Sequence, residues 1–237
     1  MNRKSDQHTF KEYFAEFLGT MAITFFGGWA SILAIANRYD AFGTALVLGS
    51  VLAVFTWISF SSSKCHFNPA LTLGGIISGQ LSAMKGGIYM VSQFLGAFVG
   101  VLCLQTVPAT LLSGAATAGF AFGTPHYASA NFNFFSAAVA ELLGTFVLAF
   151  AYASLAASGV ERLSISVGIA YAVAIVCFAR VTGGCFNPFR YFAPALYSMN
   201  LWDAHVYLIS PFVGAIGGSM FHKFILGSEE PEKQKAD

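Results

Sequence analysis

Two asparagines, each followed by proline, are the residues of this sequence best placed to do chemistry. Asn68 stands in "CHFNPALTL" (65–73) and Asn187 in "CFNPFRYFAPAL" (185–196), both among apolar residues. An asparagine side chain donates and accepts hydrogen bonds, and it is a good N-cap when proline takes the first helical position. Each Asn-Pro step therefore predicts the start of a helix whose cap presents an amide.

The helices that these steps begin are short. They are predicted over Pro69–Ser78 and Pro188–Tyr197, and at about 1.5 Å per residue each reaches only about half of a hydrocarbon core. Their N-termini carry partial positive charge and unpaired N–H groups. The inbound chains, Ser61–Phe67 and Val181–Phe186, are predicted to be irregular, with carbonyls along one wall of a cavity. At membrane depth such backbone must be buried or line water, which predicts a pore for uncharged solutes.

The composition is that of a membrane protein. Of 237 residues, 56% are hydrophobic and 10% charged, against about 25% charged in soluble domains. The net charge of +1 gives no reason to expect a nucleic-acid partner. The four cysteines show neither zinc-site nor disulfide spacing, so no metal or cofactor is expected. Six apolar runs are long enough to span a bilayer, and they are Phe14–Ile35, Ala41–Phe60, Gly86–Leu112, Phe132–Gly159, Leu163–Ala179 and Ala204–Met220.

The two halves of the chain repeat each other. The motif "AEFLGT" at 15–20 recurs as "AELLGT" at 140–145, and both halves contain "FNP". Each half holds three spans, and because three is an odd number the halves must enter the membrane in opposite directions. We therefore expect an all-α membrane protein of six transmembrane helices and two re-entrant half-helices in an inverted repeat. It forms one channel domain over 1–237, with repeat 1 at about 11–112, a connector at about 113–131, repeat 2 at about 132–226 and a polar tail at 227–237.

The distribution of basic residues predicts the orientation. Basic side chains gather on the cytoplasmic side of membrane proteins, and an even number of spans places both termini on one side. That side receives most of the lysines and arginines, so both termini are expected in the cytoplasm or its organellar equivalent. The residues placed there are Arg3, Lys4, Lys11, Lys64, Lys85, Arg162, Lys223, Lys233 and Lys235.

With these motifs the chain resembles the aquaporin, or major intrinsic protein, family from about Lys11 to Leu226. The carrying motifs are "AEFLGT", "HFNPALTLGG", "AELLGT" and "GGCFNPFRYFAPAL". The resemblance implies passive, bidirectional permeation, a homotetramer with one pore per subunit, and no enzyme activity. The family's paired Asn-Pro-Ala motifs fall on Asn68, Pro69 and Ala70 and on Asn187, Pro188 and Phe189, where phenylalanine replaces the second alanine.

The resemblance also assigns roles to other positions. The four selectivity-filter positions, counted by spacing from each asparagine, fall on Leu48, Ile175, Gly184 and Arg190. His66 and Cys185 are the corresponding pore-lining loop residues. Glu16 and Glu141 match acids that brace the re-entrant loops, and bracing is favoured over solute contact because a buried carboxylate in a membrane needs partners.

The solute and one alternative function stay open. Apart from Arg190 the filter positions lack polar anchors, which is typical of members that pass ammonia, urea, hydrogen peroxide or small polyols besides water while excluding ions and protons. The acidic and basic residues of glycerol-selective members are replaced by Tyr191 and Ala195. Because Phe189 is bulky, the alternative is a structural membrane subunit or junction protein with low conductance. A membrane enzyme has little support, since no paired carboxylates, metal-ligand cluster or activated nucleophile is recognised.

Overall fold

The chain folds into α-helices throughout the residues that its computed structural model describes, 10–35, 40–106, 121–127, 131–156 and 159–226. Those residues contain no strand, and six of the helices are long and apolar enough to cross a membrane. This confirms the predicted fold class. The helices are α1 (Phe10–Ile35), α2 (Ala41–Ser59), α3 (Pro69–Ile77), α4 (Ala83–Gln105), α5 (Phe134–Leu155), α6 (Val160–Thr182), α7 (Pro188–Tyr197) and α8 (Ala204–Phe221), with a 3-10 turn at Ala121–Gly123 and a π-helical turn at His222–Leu226.

Polar caps mark where several helices begin. Asp40 accepts a hydrogen bond from the Gly43 amide at 2.8 Å, and Asn133 accepts one from the Ser136 amide at 2.9 Å. Ser82 caps α4 in the same way. Such side chains satisfy amides that the first helical turn leaves unpaired. The long helices α2, α4 and α5 therefore start at polar residues next to the apolar runs.

Several predicted boundaries were wrong at the helix ends. Helix α1 begins at Phe10, before the predicted Phe14, and α4 runs from Ala83 to Gln105, so it starts and ends earlier than predicted. Helix α6 continues to Thr182, so the irregular chain predicted from Val181 starts later. Gly183 then ends α6 in the left-handed conformation, at φ 75°. At the starts of α1 and α4 and at the end of α6, hydropathy alone misplaced the boundary because polar residues in the terminal turns still form helix.

The packing follows the inverted repeat. Helix α1 packs on α4 as α5 packs on α8, and α2 packs on α6 between the halves. The half-helix α3 lies against α8, and its counterpart α7 lies against α4. Each half-helix is therefore held by a long helix of the other repeat, which places both inside the bundle.

Small residues permit close helix contacts both between the halves and within them. A Cβ atom on Gly49 of α2 would lie 2.7 Å from the Gly168 carbonyl oxygen of α6, and the reverse contact is also 2.7 Å. Gly96 of α4 likewise faces the backbone of Phe17. Close approach of this kind supplies the van der Waals packing that holds helices together in lipid.

Some predicted segments lie outside the described residues. These are the tail at 227–237, the first nine residues and, apart from residues 121–127, nearly all of the predicted connector.

Candidate permeation pathway

The two asparagines cap the half-helices. The Asn68 side-chain oxygen accepts a hydrogen bond from the Ala70 amide at 2.9 Å. The Asn187 oxygen accepts from the amides of Phe189, at 3.1 Å, and Arg190, at 3.4 Å. Both asparagines are 3% exposed. Both helix N-termini, with their partial positive charge, therefore lie deep inside the protein.

The same asparagines join the two loops. The Asn68 amide nitrogen donates to the Phe186 carbonyl at 2.8 Å, and the Asn187 amide nitrogen donates to the Phe67 carbonyl at 2.9 Å. The half-helix N-termini therefore meet. Each amide nitrogen carries two hydrogens, so one remains for a molecule passing between the loops.

Glu16 of α1 holds the first inbound loop. Its carboxylate accepts hydrogen bonds from the backbone amides of His66, at 3.0 Å, and Phe67, at 2.7 Å. The Gln93 side chain donates to it at 2.8 Å, and the Ser63 hydroxyl also donates. This buried carboxylate thus has four donors, three of which come from the loop.

Glu141 of α5 holds the second inbound loop with matching geometry. Its two oxygens accept from the amides of Cys185, at 3.0 Å, and Phe186, at 2.7 Å. Like Glu16 it is fully buried. Both acids therefore bind loop backbone through consecutive amides.

In each inbound loop a phenylalanine ring packs against a glycine of a long helix, a feature that the sequence did not predict. Phe67 and Phe186 adopt the left-handed conformation, at φ 49° and 54°. Their rings fill the space beside Gly19 and Gly144, where a Cβ atom would overlap the ring. The signal was present as the glycine three residues after each glutamate in the repeated motif. Because left-handed phenylalanine is strained, the carboxylate and glycine contacts together hold the loop shape.

Several inbound carbonyls already have a partner in the protein. The carbonyl of Cys185 accepts from the Tyr171 hydroxyl at 3.1 Å, and that of Lys64 accepts from the Tyr152 hydroxyl. A carbonyl oxygen has two lone pairs. The carbonyls bound in this way are available to a solute only through their second lone pair.

Arg190 is buried at the first turn of α7. It is 2% exposed and donates to the Gly184 carbonyl at 2.7 Å and to the Ser31 hydroxyl at 3.1 Å. Its Nε has no hydrogen-bond partner among the described residues. Both terminal nitrogens of the guanidinium thus hold it in place, while its Nε–H stays without a partner in the described part of the chain.

The four positions counted from the asparagines lie side by side. Gly184 adjoins Ile175, whose Cα would lie 3.2 Å from a Cβ atom built on Gly184. A Cβ atom on Gly27 would lie 2.8 Å from Arg190 Nε and 2.9 Å from the Leu48 side chain. Sequence reasoning missed Gly27 and Ser31, because nothing in α1 itself indicates that it faces an arginine of α7.

His66 and Cys185, the predicted pore-lining residues, are both buried. His66 Nδ1 lies 3.1 Å from the Thr72 hydroxyl, and its ring stands edge-on to Tyr152 at 4.9 Å. The Cys185 thiol lies 3.2 Å from the Asn187 carbonyl oxygen. Cys185 therefore packs within the half-helix entry of its own repeat, whereas His66 also contacts a helix of the other repeat.

The Phe189 ring points toward α4. It packs edge-on to Phe94 at 5.6 Å and contacts the cluster of Ala97, Val101 and Ala193. The ring therefore takes part in packing between the two repeats.

A cavity of about 320 Å³ opens beside the first inbound loop. Near it Lys85 forms a 2.7 Å ion pair with Glu12, which also accepts a hydrogen bond from Tyr89. We call this cavity the inner vestibule; it is lined by Glu12, Phe60, Ser61, Ser62, Ser63, Lys64, Tyr152, Ala156 and Leu163.

Comparison with known proteins gives the chain its family. The sequence profile of the major intrinsic protein family matches residues 3–222, nearly the whole chain. This chain belongs to that family. It is therefore an integral multi-pass membrane protein of a channel family and not an enzyme.

Similar proteins from an amoeba, a frog and a plant support this family assignment. Aquaporin A of Dictyostelium discoideum is 29% identical, covering 92% of this chain and 79% of its own. The lens fiber major intrinsic protein of Lithobates pipiens is 31% identical, covering 90% and 80%. The probable aquaporin TIP1-2 of Oryza sativa is 30% identical, covering 97% and 92%.

A solved structure shows the same fold. The X-ray structure of the aquaglyceroporin from Plasmodium falciparum matches with a TM-score of 0.82 at 22% identity, covering 91% of this chain and 96% of the other. At that identity the likeness concerns the fold alone. Taken together, the findings support a membrane channel and do not favour the alternative of a structural subunit.

Proposed function

We propose that this protein is a passive channel that conducts water and small uncharged solutes, with ammonia, urea, hydrogen peroxide and small polyols as the candidate class, and excludes ions and protons. One observation carries the proposal. Two helix N-termini meet inside the bundle, joined by Asn68 and Asn187, and each asparagine keeps one free amide hydrogen. A neutral solute gains a hydrogen bond there.

Ions are excluded by electrostatics. A cation between the half-helices meets two partial positive charges without its full hydration shell. On the outer side of this point it must also pass the fixed guanidinium of Arg190. The remaining filter side chains, Leu48 and Ile175, are apolar and offer no compensating charge. Neutral molecules do not meet this barrier.

The proposal also covers the domain organisation, the oligomeric state and the orientation in the membrane. The chain is a single channel domain over 1–237 made of two repeats, it assembles as a homotetramer, and both termini face the cytoplasm or its equivalent. Lys64, Lys85 and Glu12 meet at the end of the bundle that holds the inner vestibule. We assign that end to the cytoplasmic side because basic residues are retained there.

Stopped-flow swelling of proteoliposomes tests conduction. We expect the protein to raise water permeability above protein-free liposomes with a low activation energy, and to carry no ionic current in planar bilayers. Gly27→Leu should lower water flux toward the liposome level, because any side chain there meets Arg190 and Leu48. Gly87→Leu is the matched control, since open space surrounds a Cβ atom at Gly87. Wild-type flux equal to that of empty liposomes, or robust cation currents, would contradict the proposal.

A further inference from the structure

A tyrosine of α5 reaches the first inbound loop at the inner vestibule. Tyr152 donates its hydroxyl proton to the Lys64 carbonyl, and its ring packs edge-on to His66 at 4.9 Å. Tyr152 is 6% exposed and lines the vestibule together with Lys64. The hydrogen bond thus joins a helix of the second repeat to the entry loop of the first, at the inner end of the proposed pathway.

The inverted repeat identifies what Tyr152 faces. Glu16 corresponds to Glu141 with a separation of 125 positions, and the same separation relates Gly27 to Tyr152. Gly27 lies directly against Arg190 and Leu48. We call these two residues, with Ile175 and Gly184, the outer filter. Because the halves are related by a pseudo-two-fold axis in the membrane plane, Tyr152 occupies the symmetry-related position on the inner side. Its side chain therefore points toward the pathway, as the missing side chain of Gly27 would.

The other filter positions have inner counterparts as well. When Asn68 is paired with Asn187, Leu71 corresponds to Arg190. We call the inner counterparts, together with Tyr152, the inner ring. Because leucine replaces arginine there, the inner ring has no fixed cation. All the counterparts are buried, and the Thr56 hydroxyl has no hydrogen-bond partner among the described residues. At the outer filter Arg190 lies beside Gly27, whereas the corresponding residues of the inner ring are Leu71 and Tyr152. The remaining inner counterparts, of Leu48, Ile175 and Gly184 in turn, are Val167, Thr56 and Cys65.

We propose that Tyr152 forms a second, inner constriction that sets the size limit for solutes. This inference rests on the proposed channel function. Around Arg190 the outer filter has only Leu48, Ile175 and Gly184, and the adjacent Gly27 has no side chain, so we infer that it discriminates weakly by size. At the inner ring the Tyr152 hydroxyl and the Lys64 carbonyl meet, and a solute must separate them to pass. A water molecule can hydrogen-bond to both the Tyr152 hydroxyl and the Lys64 carbonyl, so a small displacement of the ring lets it pass. A polyol is larger and requires the ring to leave the pathway.

The test compares water and glycerol permeability in proteoliposomes. Tyr152→Gly introduces the residue that Gly27 places at the symmetry-related position, and Tyr152→Phe keeps the ring while removing the hydrogen bond. Phe150→Ala is the control for lost volume, since its ring packs on Phe221 outside the pathway. Tyr207→Phe is the control for a lost hydroxyl, because Tyr207 is buried and donates to the Thr182 carbonyl at 2.8 Å.

We expect Tyr152→Gly to raise the ratio of glycerol to water permeability by about fivefold or more, since pore diameter governs such selectivity. Tyr152→Phe should raise water flux while the glycerol ratio stays low. Neither control should change the ratio. Thermal unfolding of each variant checks folding, and if Tyr152→Gly does not fold, Tyr152→Leu replaces it.

The outcomes separate this inference from the proposed function. If folded Tyr152→Gly conducts water with an unchanged glycerol ratio, the inner constriction is wrong and the channel function stands. If the wild type and every variant match empty liposomes, the channel function itself is wrong. A rise of the ratio in Phe150→Ala equal to that in Tyr152→Gly would also overturn the inference, because it would show a general loss of packing.

Discussion

At the scale of single residues, charge in the apolar interior is tolerated only where donors or acceptors surround it. Glu16 and Glu141 each accept two consecutive loop amides, and Arg190 donates to a carbonyl and a hydroxyl. Carboxylates with several backbone donors are among the stronger hydrogen-bond sites in proteins. The acids therefore fix the loops, while Arg190 keeps an Nε donor that has no partner among the described residues.

Arg190→Ala should increase cation or proton leak while water flux persists. The substitution removes a fixed positive charge and the spare Nε donor, and leaves the filter with Leu48, Ile175 and Gly184. A pH-sensitive dye inside proteoliposomes measures the proton leak. Arg180→Ala is the matched control, since Arg180 is exposed in the last turn of α6. An unchanged leak in a folded Arg190→Ala protein would rule out Arg190 as the cation barrier.

At the scale of elements, each half-helix depends on a long helix of the other repeat. Helix α7 contacts α4 through Phe189 and Phe192, both of which pack on Phe94. Aromatic pairs at these separations add favourable contact beyond the area they bury. The replacement of alanine by Phe189 therefore has a place in the packing of α7.

Phe189→Ala should lower thermal stability and leave water permeability per folded protein nearly unchanged. Truncating a buried phenylalanine costs about 3–5 kcal/mol, and because Phe189 is only half-buried we expect a loss at or below the lower end. Phe94→Ala removes the partner ring, so the double variant should lose less stability than the two single losses combined. A several-fold rise in permeability with unchanged stability would show instead that the ring narrows the pore.

At the scale of the whole molecule, the outer surface is apolar and the polar groups are turned inward. Large side chains such as Leu46, Ile58, Val91 and Phe135 are at least 60% exposed. In lipid such side chains are solvated equally well by acyl chains and by a neighbouring subunit, so association depends on packing. The groove between α2 and α6, lined by Ala45, Gly49 and Ala172 among others, adds close-packing surface on this face.

The protein should extract from membranes as a homotetramer. Light scattering in mild detergent, corrected for bound detergent, should give four copies of the 25.2 kDa chain. Crosslinking in the native bilayer before extraction controls for dissociation by detergent. A single-chain mass by both methods would contradict the tetramer.

Much of the fold was predictable because its signals are local. Apolar runs predicted the spans, and the Asn-Pro steps predicted the half-helices, of which Pro188–Tyr197 has the predicted bounds and α3 ends one residue early, at Ile77. The odd number of spans in each repeat predicted the inversion. Hydropathy, capping and proline geometry each depend on a few neighbouring residues, so a single sequence carries them.

The contacts that shape the pathway were decided only by the tertiary structure. Spacing from each asparagine selected Leu48, Ile175, Gly184 and Arg190, which do lie together, but their role in selectivity stays a prediction. The bonds from Asn68 to Phe186 and from Asn187 to Phe67 join residues more than a hundred positions apart. The contacts of Gly27 with Arg190 and of Tyr152 with Lys64 likewise form only when the two repeats pack together. Such contacts depend on the relative placement of helices, which no local pattern specifies.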